Sequence, residues 1–140
     1  MLLRLLSGAG FVFSLDQFTK LLVARRLAEG QSASVASWLR IRRVVNRRGV
    51  LLVRNPRVLL LVLAALFCSI CLIIRQGYFF QHGAAQLGLG MALGGAGSNV
   101  YDKIRRGAVL DFLDLSWWPV FNLADVAITI GVTLALWFLH

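Results

Sequence analysis

One apolar, uncharged stretch of this chain is the feature that most restricts how it can fold. Val58–Ile74 contains seventeen consecutive residues without a formal charge, and Arg57 and Arg75 flank it. About 20 apolar residues in a helix cross the hydrocarbon core of a bilayer. Hydrophobic residues make up 59% of the chain and charged residues 15%, whereas an average soluble domain has about 45–50% and about 25%. The sequence therefore predicts a membrane protein and excludes a disordered chain.

Three further segments have lengths suited to helices of the same kind. The four predicted helices belong to one integral membrane domain, residues 1–140, and span about 5–24, 58–75, 84–101 and 120–139. The third contains Gly90 and Gly94, whose spacing lets neighbouring helices approach closely. Within residues 25–57, β-branched side chains predict a short strand or hairpin. The predicted fold class is an all-α membrane protein with four transmembrane helices and a small β-like segment between helices 1 and 2.

The balance of charges restricts the partners of the chain. Fifteen Lys and Arg residues stand against six acids, which gives a formal net charge of +9. Nucleic-acid-binding modules are polar, so nucleic acid is not an expected partner of so apolar a chain, and anionic membrane lipids are expected instead. The segments on one face hold most of the cations, and the positive-inside rule would place that face in the cytoplasm.

The few carboxylates are the main functional candidates, because an ionisable group within a membrane segment is costly. Asp16 and Lys20 lie one helical turn apart and can form an ion pair. Asp125 follows Asn122 at the start of the last predicted helix, where Asn caps a helix and an acid favours the positive end of the dipole. Asp111 lies in an apolar, strand-like run.

The predicted topology brings several of these acids to one level of the membrane. Asp102 closes the third helix with Asn99 on the same face, and the fourth helix begins on that side. Two carboxyl groups at close range in a low dielectric share one proton. The ionised member can then act as a general base on water while the protonated member polarises a carbonyl. This arrangement predicts hydrolysis of a peptide bond without a metal.

Other catalytic arrangements have less support. Ser98 and Lys103 lie five residues apart and so on different faces of a helix, which disfavours a Ser/Lys dyad. His82 and His140 have no neighbouring ligand cluster, so neither a metal nor a Ser/His/Asp triad is expected. The glycine-rich run 94–97 has no P-loop lysine after it. No cofactor is predicted.

Four motifs, taken together, resemble the lipoprotein signal peptidase (signal peptidase II) family. They occur in that family's order, and the four-helix plan covers the whole chain. The motifs are Asp16-Gln17-Phe18-Thr19-Lys20, Gly94-Gly95-Ala96-Gly97-Ser98-Asn99-Val100-Tyr101-Asp102-Lys103, Gly107-Ala108-Val109-Leu110-Asp111-Phe112 and Phe121-Asn122-Leu123-Ala124-Asp125.

The resemblance implies an intramembrane aspartyl endopeptidase that removes the signal peptide of prolipoproteins before the diacylglyceryl-modified cysteine. By motif position, Asp111 and Asp125 form the catalytic dyad. The supporting and substrate-binding positions implied by the motifs are Asp16, Lys20, Asn46, Gly95, Asn99, Asp102, Lys103, Asn122 and Ala124. The implied partners are lipid-modified prolipoproteins, and the implied state is a monomer.

The resemblance also implies a location in the bacterial cytoplasmic (inner) membrane. Both termini would be cytoplasmic, while the β-like segment and the active site would lie outside, near the outer leaflet. This orientation is opposite to the one that the charge count favours, and we follow the motifs. Arginines of residues 25–57 would then form a platform for lipid phosphates.

The chain departs from the family pattern at three positions. Ser98 stands where the family usually has Gly, Lys103 stands where it has Arg, and the Asn46-to-Gly49 motif is one residue longer because of Arg48. Two alternatives therefore stay open, a divergent member that binds lipidated peptides without cleaving them and a small proton-coupled transporter. The remaining acids, Glu29 and Asp114, are expected to be ordinary surface residues.

Overall fold

A computed structural model gives the structure of residues 2–47 and 81–138 and of four isolated positions between 64 and 75. Six elements follow one another in this part of the chain, and helices occupy three of the four segments in which the sequence predicts one. They are α1 (Leu2–Arg26), β1 (Ser32–Ala36), β2 (Leu39–Asn46), α2 (Gly83–Arg106), β3 (Val109–Asp114) and α3 (Leu123–Trp137).

The three helices pack along their lengths, with α2 between the other two. Ala9 lies against Gly94 and Gln17 against Ser98, so α1 and α2 run in the same direction. Glycines of α2 meet the backbone of α3 in the reverse order, which makes α3 antiparallel to both. The close approach that the small residues predicted is therefore present, and it joins α2 to both neighbours.

An antiparallel sheet in the order β1-β2-β3 covers one end of the helices. The hairpin predicted within residues 25–57 is present as β1 and β2. β3 comes from a different part of the chain and pairs with β2, with Asp111 opposite Val44. Gly107 ends α2 in the left-handed region at φ 71°, which lets the chain turn directly into β3.

The prediction of an all-α protein with four transmembrane helices is wrong. The part of the chain that the structure describes combines three helices with a three-stranded sheet, and none of these helices is long and apolar enough to cross a membrane. With fifteen residues, α3 extends about 22 Å, whereas the hydrocarbon core is about 30 Å thick. Polar residues lower the hydropathy of the two longer helices. The predicted helix 58–75 lies outside the described residues, apart from isolated positions.

Charged side chains lie on the inner side of α1, and many large apolar side chains lie on the outer faces of the helices. Asp16 and Lys20 of α1 are completely buried, whereas Leu3 and Phe11 on its other faces are 80% and 68% exposed. At the far end of α3, Trp137 is 77% exposed. Exposed apolar surface on this scale marks a face that contacts a partner or a lipid phase.

The contact between α1 and α2 yields a prediction about stability. A methyl group added at Gly94 would overlap the backbone of Ala9, whereas one added at Gly10 would meet nothing within 4 Å. We expect Gly94→Ala to lower the free energy of unfolding by about 1–3 kcal/mol, because an overpacked contact must move the backbone. Gly10→Ala, the matched control, should leave stability equal or raise it by up to about 1 kcal/mol. Denaturant unfolding measures both, and equal effects of the two substitutions would contradict this account.

Candidate active site

The turn between β3 and α3 brings Asp111 and Asp125 into one site. Asp111 lies in the middle of β3, and Asp125 lies in the first turn of α3. Between them, Phe121 returns to the strand and exchanges backbone hydrogen bonds with Leu113, at 2.7 and 3.1 Å. The start of α3 is thereby held beside β3.

Asn122 joins the two carboxyl groups. Its Oδ1 accepts the Asp125 backbone N–H at 3.0 Å, while its own backbone N–H donates to Asp125 Oδ2 at 3.2 Å. These reciprocal bonds form a capping box, so the predicted capping role of Asn122 is confirmed. The remaining donor group, Nδ2, reaches Asp111 Oδ1 at 2.7 Å. One fully buried asparagine therefore donates to both carboxyl groups, from its side chain to Asp111 and from its backbone to Asp125.

Two further asparagines complete the polar shell of the acids. Asn46, at the end of β2, donates from Nδ2 to Asp111 Oδ2 at 3.2 Å. Asn99 of α2 donates from Nδ2 to Asp125 Oδ1 at 2.9 Å. Each carboxyl group thus accepts hydrogen bonds on both of its oxygens, which fixes the orientation of the two side chains.

Burial makes both acids reluctant to ionise. The pKa of Asp111 is raised to about 6: loss of solvent is the main cause and the neighbouring charge of Asp125 adds to it, while hydrogen bonds from Asn46 and Asn122 act in the opposite direction. Burial also raises the pKa of Asp125, against hydrogen bonds from Asn122 and Asn99. Two adjacent carboxyl groups with raised pKa values hold a proton at a pH where ordinary acids have lost theirs.

A completely buried lysine lies behind the asparagines. Lys20 Nζ is 2.6 Å from Asp16 Oδ2 and 2.9 Å from Asp102 Oδ2, and all three side chains have no exposed surface. The same ammonium group donates to Asn99 Oδ1 at 2.9 Å. Because the amide oxygen of Asn99 faces Lys20, its NH2 group must face Asp125.

The two acids that pair with Lys20 also hold the backbone near the candidate dyad. Asp16 Oδ1 accepts the backbone N–H of Ala124 at 2.9 Å, next to Asp125. Asp102 Oδ2 accepts the backbone N–H of Leu110 at 3.4 Å, next to Asp111. The buried ion pairs thus join the first turn of α3 to β3 through α1 and α2.

Comparison with known proteins assigns the chain to a family. The family model for signal peptidase (SPase) II matches residues 9–140 of the chain. The chain belongs to the signal peptidase II family. The family suggested by the four motifs is therefore confirmed, and membership indicates a peptidase.

Curated relatives and solved structures agree with the family model. A lipoprotein signal peptidase from Halothermothrix orenii is 35% identical over 133 residues, which are 91% of this chain and 89% of the relative. One from Mycobacterium leprae is 36% identical over 140 residues, covering 93% of this chain and 68% of the relative. A solved bacterial membrane enzyme superposes with a TM-score of 0.82 at 26% identity, covering 94% of this chain and 84% of the other.

Two other predicted site residues, Gly95 and Lys103, have different positions relative to these acids. At Gly95, an added Cβ would lie 2.6 Å from the carbonyl oxygen of Ala124, so a residue without a side chain is needed where α2 meets α3. Lys103 lies farther out and donates from Nζ to the carbonyl oxygen of Arg47 at 2.5 Å. It holds the segment after Asn46 and does not contact the acids. Arg48 lies outside the described residues.

Three residues that contact the buried acids around this candidate site were not predicted as site residues: Gln17, Ser98 and Arg106. The Ser98 hydroxyl donates to Asp16 Oδ2 at 2.6 Å and accepts from Gln17 Nε2 at 2.8 Å. Arg106 Nη1 lies 2.7 Å from Asp102 Oδ1. The i,i+4 spacing of Asp102 and Arg106 signalled that pair in the sequence. The contact of Ser98 with α1 had no local signal, and it places the hydroxyl where it serves Asp16 rather than Lys103.

One predicted surface acid is buried. Asp114 was expected to be an exposed loop residue, but it ends β3 and is only 4% exposed. Its Oδ1 accepts the backbone N–H of Ser116 at 2.8 Å, and its Oδ2 lies 3.6 Å from Arg40 Nη2. The expectation failed because the six residues of β3 are covered almost completely. Glu29 is exposed, as expected.

Proposed function

We propose that this chain is an aspartic endopeptidase that removes signal peptides from lipidated prolipoproteins, cleaving before the diacylglyceryl-modified cysteine. The observation that carries the proposal is the position of Asn122, which donates to Asp111 while it caps the helix turn that contains Asp125. Two carboxyl groups with raised pKa values are thereby hydrogen-bonded to one buried asparagine, Asp111 to its side chain and Asp125 to its backbone N–H. The curated relatives are lipoprotein signal peptidases, and this activity supplies the substrate class.

The proposed reaction needs one proton on the pair of acids. The ionised carboxylate accepts a proton from water, and the water oxygen attacks the scissile carbonyl carbon. The protonated carboxyl donates its hydrogen to the carbonyl oxygen, which stabilises the tetrahedral intermediate. On breakdown, the acid that took the water proton passes it to the amide nitrogen as the C–N bond breaks, and the other acid takes back the proton from the hydroxyl group of the intermediate. The pair is then singly protonated again, and Asp111 and Asp125 have carried every proton transfer in this scheme.

An apolar groove beside Asp125 suits the signal peptide. It has a volume of about 400 Å³, and its walls include Trp117, Trp118, Phe121 and Ile130. Apolar walls with one polar group at the edge are typical of sites that hold an extended apolar ligand against a reactive group. We assign this groove to the apolar residues that precede the cleaved bond.

The working site of the enzyme is the bacterial cytoplasmic membrane. The apolar outer faces of α1 and α3 and the likeness to bacterial membrane enzymes support this location. The substrate's lipid would keep its cysteine at the membrane surface, so the dyad faces the outer leaflet. The chain acts as a monomer in this proposal, since Asn46, Asn99 and Asn122, which donate to the two acids, belong to the same chain as the acids.

Incubation of the purified protein with a lipidated precursor tests the proposed function. We expect mass spectrometry to find two products, with the lipidated cysteine as the new N-terminus, at the same rate with and without EDTA. A precursor that lacks the diacylglyceryl group should not be cleaved. Tight binding without products would favour the non-cleaving alternative, and proton flux in liposomes without products would favour the transporter.

The raised pKa of Asp111 predicts how cleavage depends on pH. The protonated form is favoured in the folded protein, so both the shared proton and the stability that it contributes are lost as the pH rises through about 6. We expect the cleavage rate to fall over that range. Asn46→Ala removes a hydrogen bond to the Asp111 carboxylate, so the pKa should rise and the alkaline limb should move upward by about half a unit to one unit.

The control for this pH experiment is Gln31→Ala. Gln31 is exposed, and its side-chain oxygen accepts a hydrogen bond from the backbone N–H of Ala28. Its pH profile should match that of the unsubstituted protein. An alkaline limb that stays in place in Asn46→Ala, or that moves equally in both variants, would contradict the role of Asn46.

A further inference from the structure

A second groove lies on the outer face of α1 and α2, away from the proposed dyad. It has a volume of about 550 Å³ and is lined by residues from the middle and C-terminal part of α1 and from the C-terminal part of α2. One wall is apolar and the other is cationic. The apolar wall is built by Phe13, Phe18 and Leu21, and the cationic wall by Arg105 and Arg106 above Tyr101.

The apolar wall is open on its outer side. Phe13 packs edge-to-face on Tyr101 with 5.6 Å between ring centroids, which fixes the floor of the groove. Phe18 is 58% exposed and Leu21 is 39% exposed. These side chains give α1 an exposed apolar surface beside the groove, which can contact an acyl chain.

The two arginines are held in place by residues of the chain. Arg106 donates from Nη1 to the buried carboxylate of Asp102 at 2.7 Å. The Arg105 guanidinium carbon lies 5.7 Å from the centre of the Tyr101 ring, and the group also donates to the tyrosine hydroxyl. Within the described part of the chain, Arg105 has no carboxylate partner.

The charges of this region select the kind of ligand. Asp16 and Asp102 are balanced by Lys20 and Arg106, so Arg105 leaves one net positive charge at the groove. A phosphodiester carries one negative charge and offers oxygens that match the donors of a guanidinium group. A zwitterionic headgroup would bring a second cation to the same place.

We propose that this groove is a binding site for an anionic glycerophospholipid, with its phosphodiester at Arg105 and Arg106 and an acyl chain along Phe18 and Leu21. The site rests on the proposed membrane location but not on peptide hydrolysis. It joins cationic and apolar contacts at one place, which a general attraction between a basic protein and acidic lipids does not require.

Native mass spectrometry of the detergent-solubilised full chain tests the site. The probes are phosphatidylglycerol, phosphatidylcholine and glycerol 3-phosphate. We expect one phosphatidylglycerol molecule to bind saturably to each chain, and the other two probes to bind at least about tenfold more weakly. Arg105→Gln should weaken phosphatidylglycerol binding about tenfold, because it removes the charge-assisted contact. Phe18→Ser should also weaken it, through the acyl chain.

The matched control is Arg4→Gln, which removes the same charge from the opposite, exposed end of α1, and it should leave binding unchanged. Equal binding by Arg105→Gln and the unsubstituted chain would overturn the proposal, and so would equal binding of phosphatidylcholine or of glycerol 3-phosphate. Arg105→Gln should still cleave a lipidated precursor. Lipid binding by a protein that cleaves nothing would count against the proposed function alone.

Discussion

Replacing Asp125 with Asn is expected to lower kcat/KM for a lipidated precursor by at least about a thousandfold, and Asp111→Asn should do the same. General acid and base catalysis each contribute about 10²–10⁴-fold, and an amide can do neither at these positions. Because the two acids act as one unit, the double variant should be no slower than either single variant. Initial rates of product formation measure all three effects.

The fold should survive these substitutions, which makes loss of activity informative. Asn is nearly isosteric with Asp, and an Asn at position 125 can still accept one hydrogen bond within the cap. Glu29→Gln is the matched control, because it makes the same change from carboxyl to amide at an exposed residue, and its activity should stay within about twofold of the parent. Cleavage retained by either dyad variant would show that the assignment of catalytic roles is wrong.

The sequence predicted the local parts of the site better than the contacts that assemble it. The cap formed by Asn122 and the pair of Asp16 and Lys20 follow from spacings of three and four residues. Asp102 lies 82 residues from Lys20, and no local pattern shows that it is the second partner of the lysine. The family motifs placed it in the supporting shell but gave no contact.

The fold was predicted least well in the pairing of its strands. The run that forms β3 was predicted to be strand-like, and its six residues are buried almost throughout, but nothing in the run shows which strand it pairs with. Its pairing with β2 joins Asp111 to Val44 across a long separation in sequence. The composition of the chain similarly overestimated how apolar the helices are, because an average does not show that the inner side of α1 carries Asp16 and Lys20.

Lys20 shapes the site although it touches neither of the proposed catalytic acids. Its ammonium group faces Asp16, Asp102 and Asn99 at 2.6 to 2.9 Å. Its removal would leave two buried carboxylates with reduced compensation and would release the amide that faces Asp125. A buried ion pair adds little net stability over an apolar replacement of the whole set, but removal of one partner alone is costly.

We therefore expect Lys20→Met to lower the free energy of unfolding by about 3–5 kcal/mol and to reduce cleavage even at temperatures where the variant is folded. Arg40→Met is the matched control, because Arg40 is half exposed and lies 3.6 Å from Asp114, so its loss should cost no more than about 1 kcal/mol. Adding Asp16→Asn to Lys20→Met should recover part of the stability, since one unpaired charge is then removed. Denaturant unfolding in detergent measures these differences, and equal costs for the two methionine variants would refute the role given to the buried lysine.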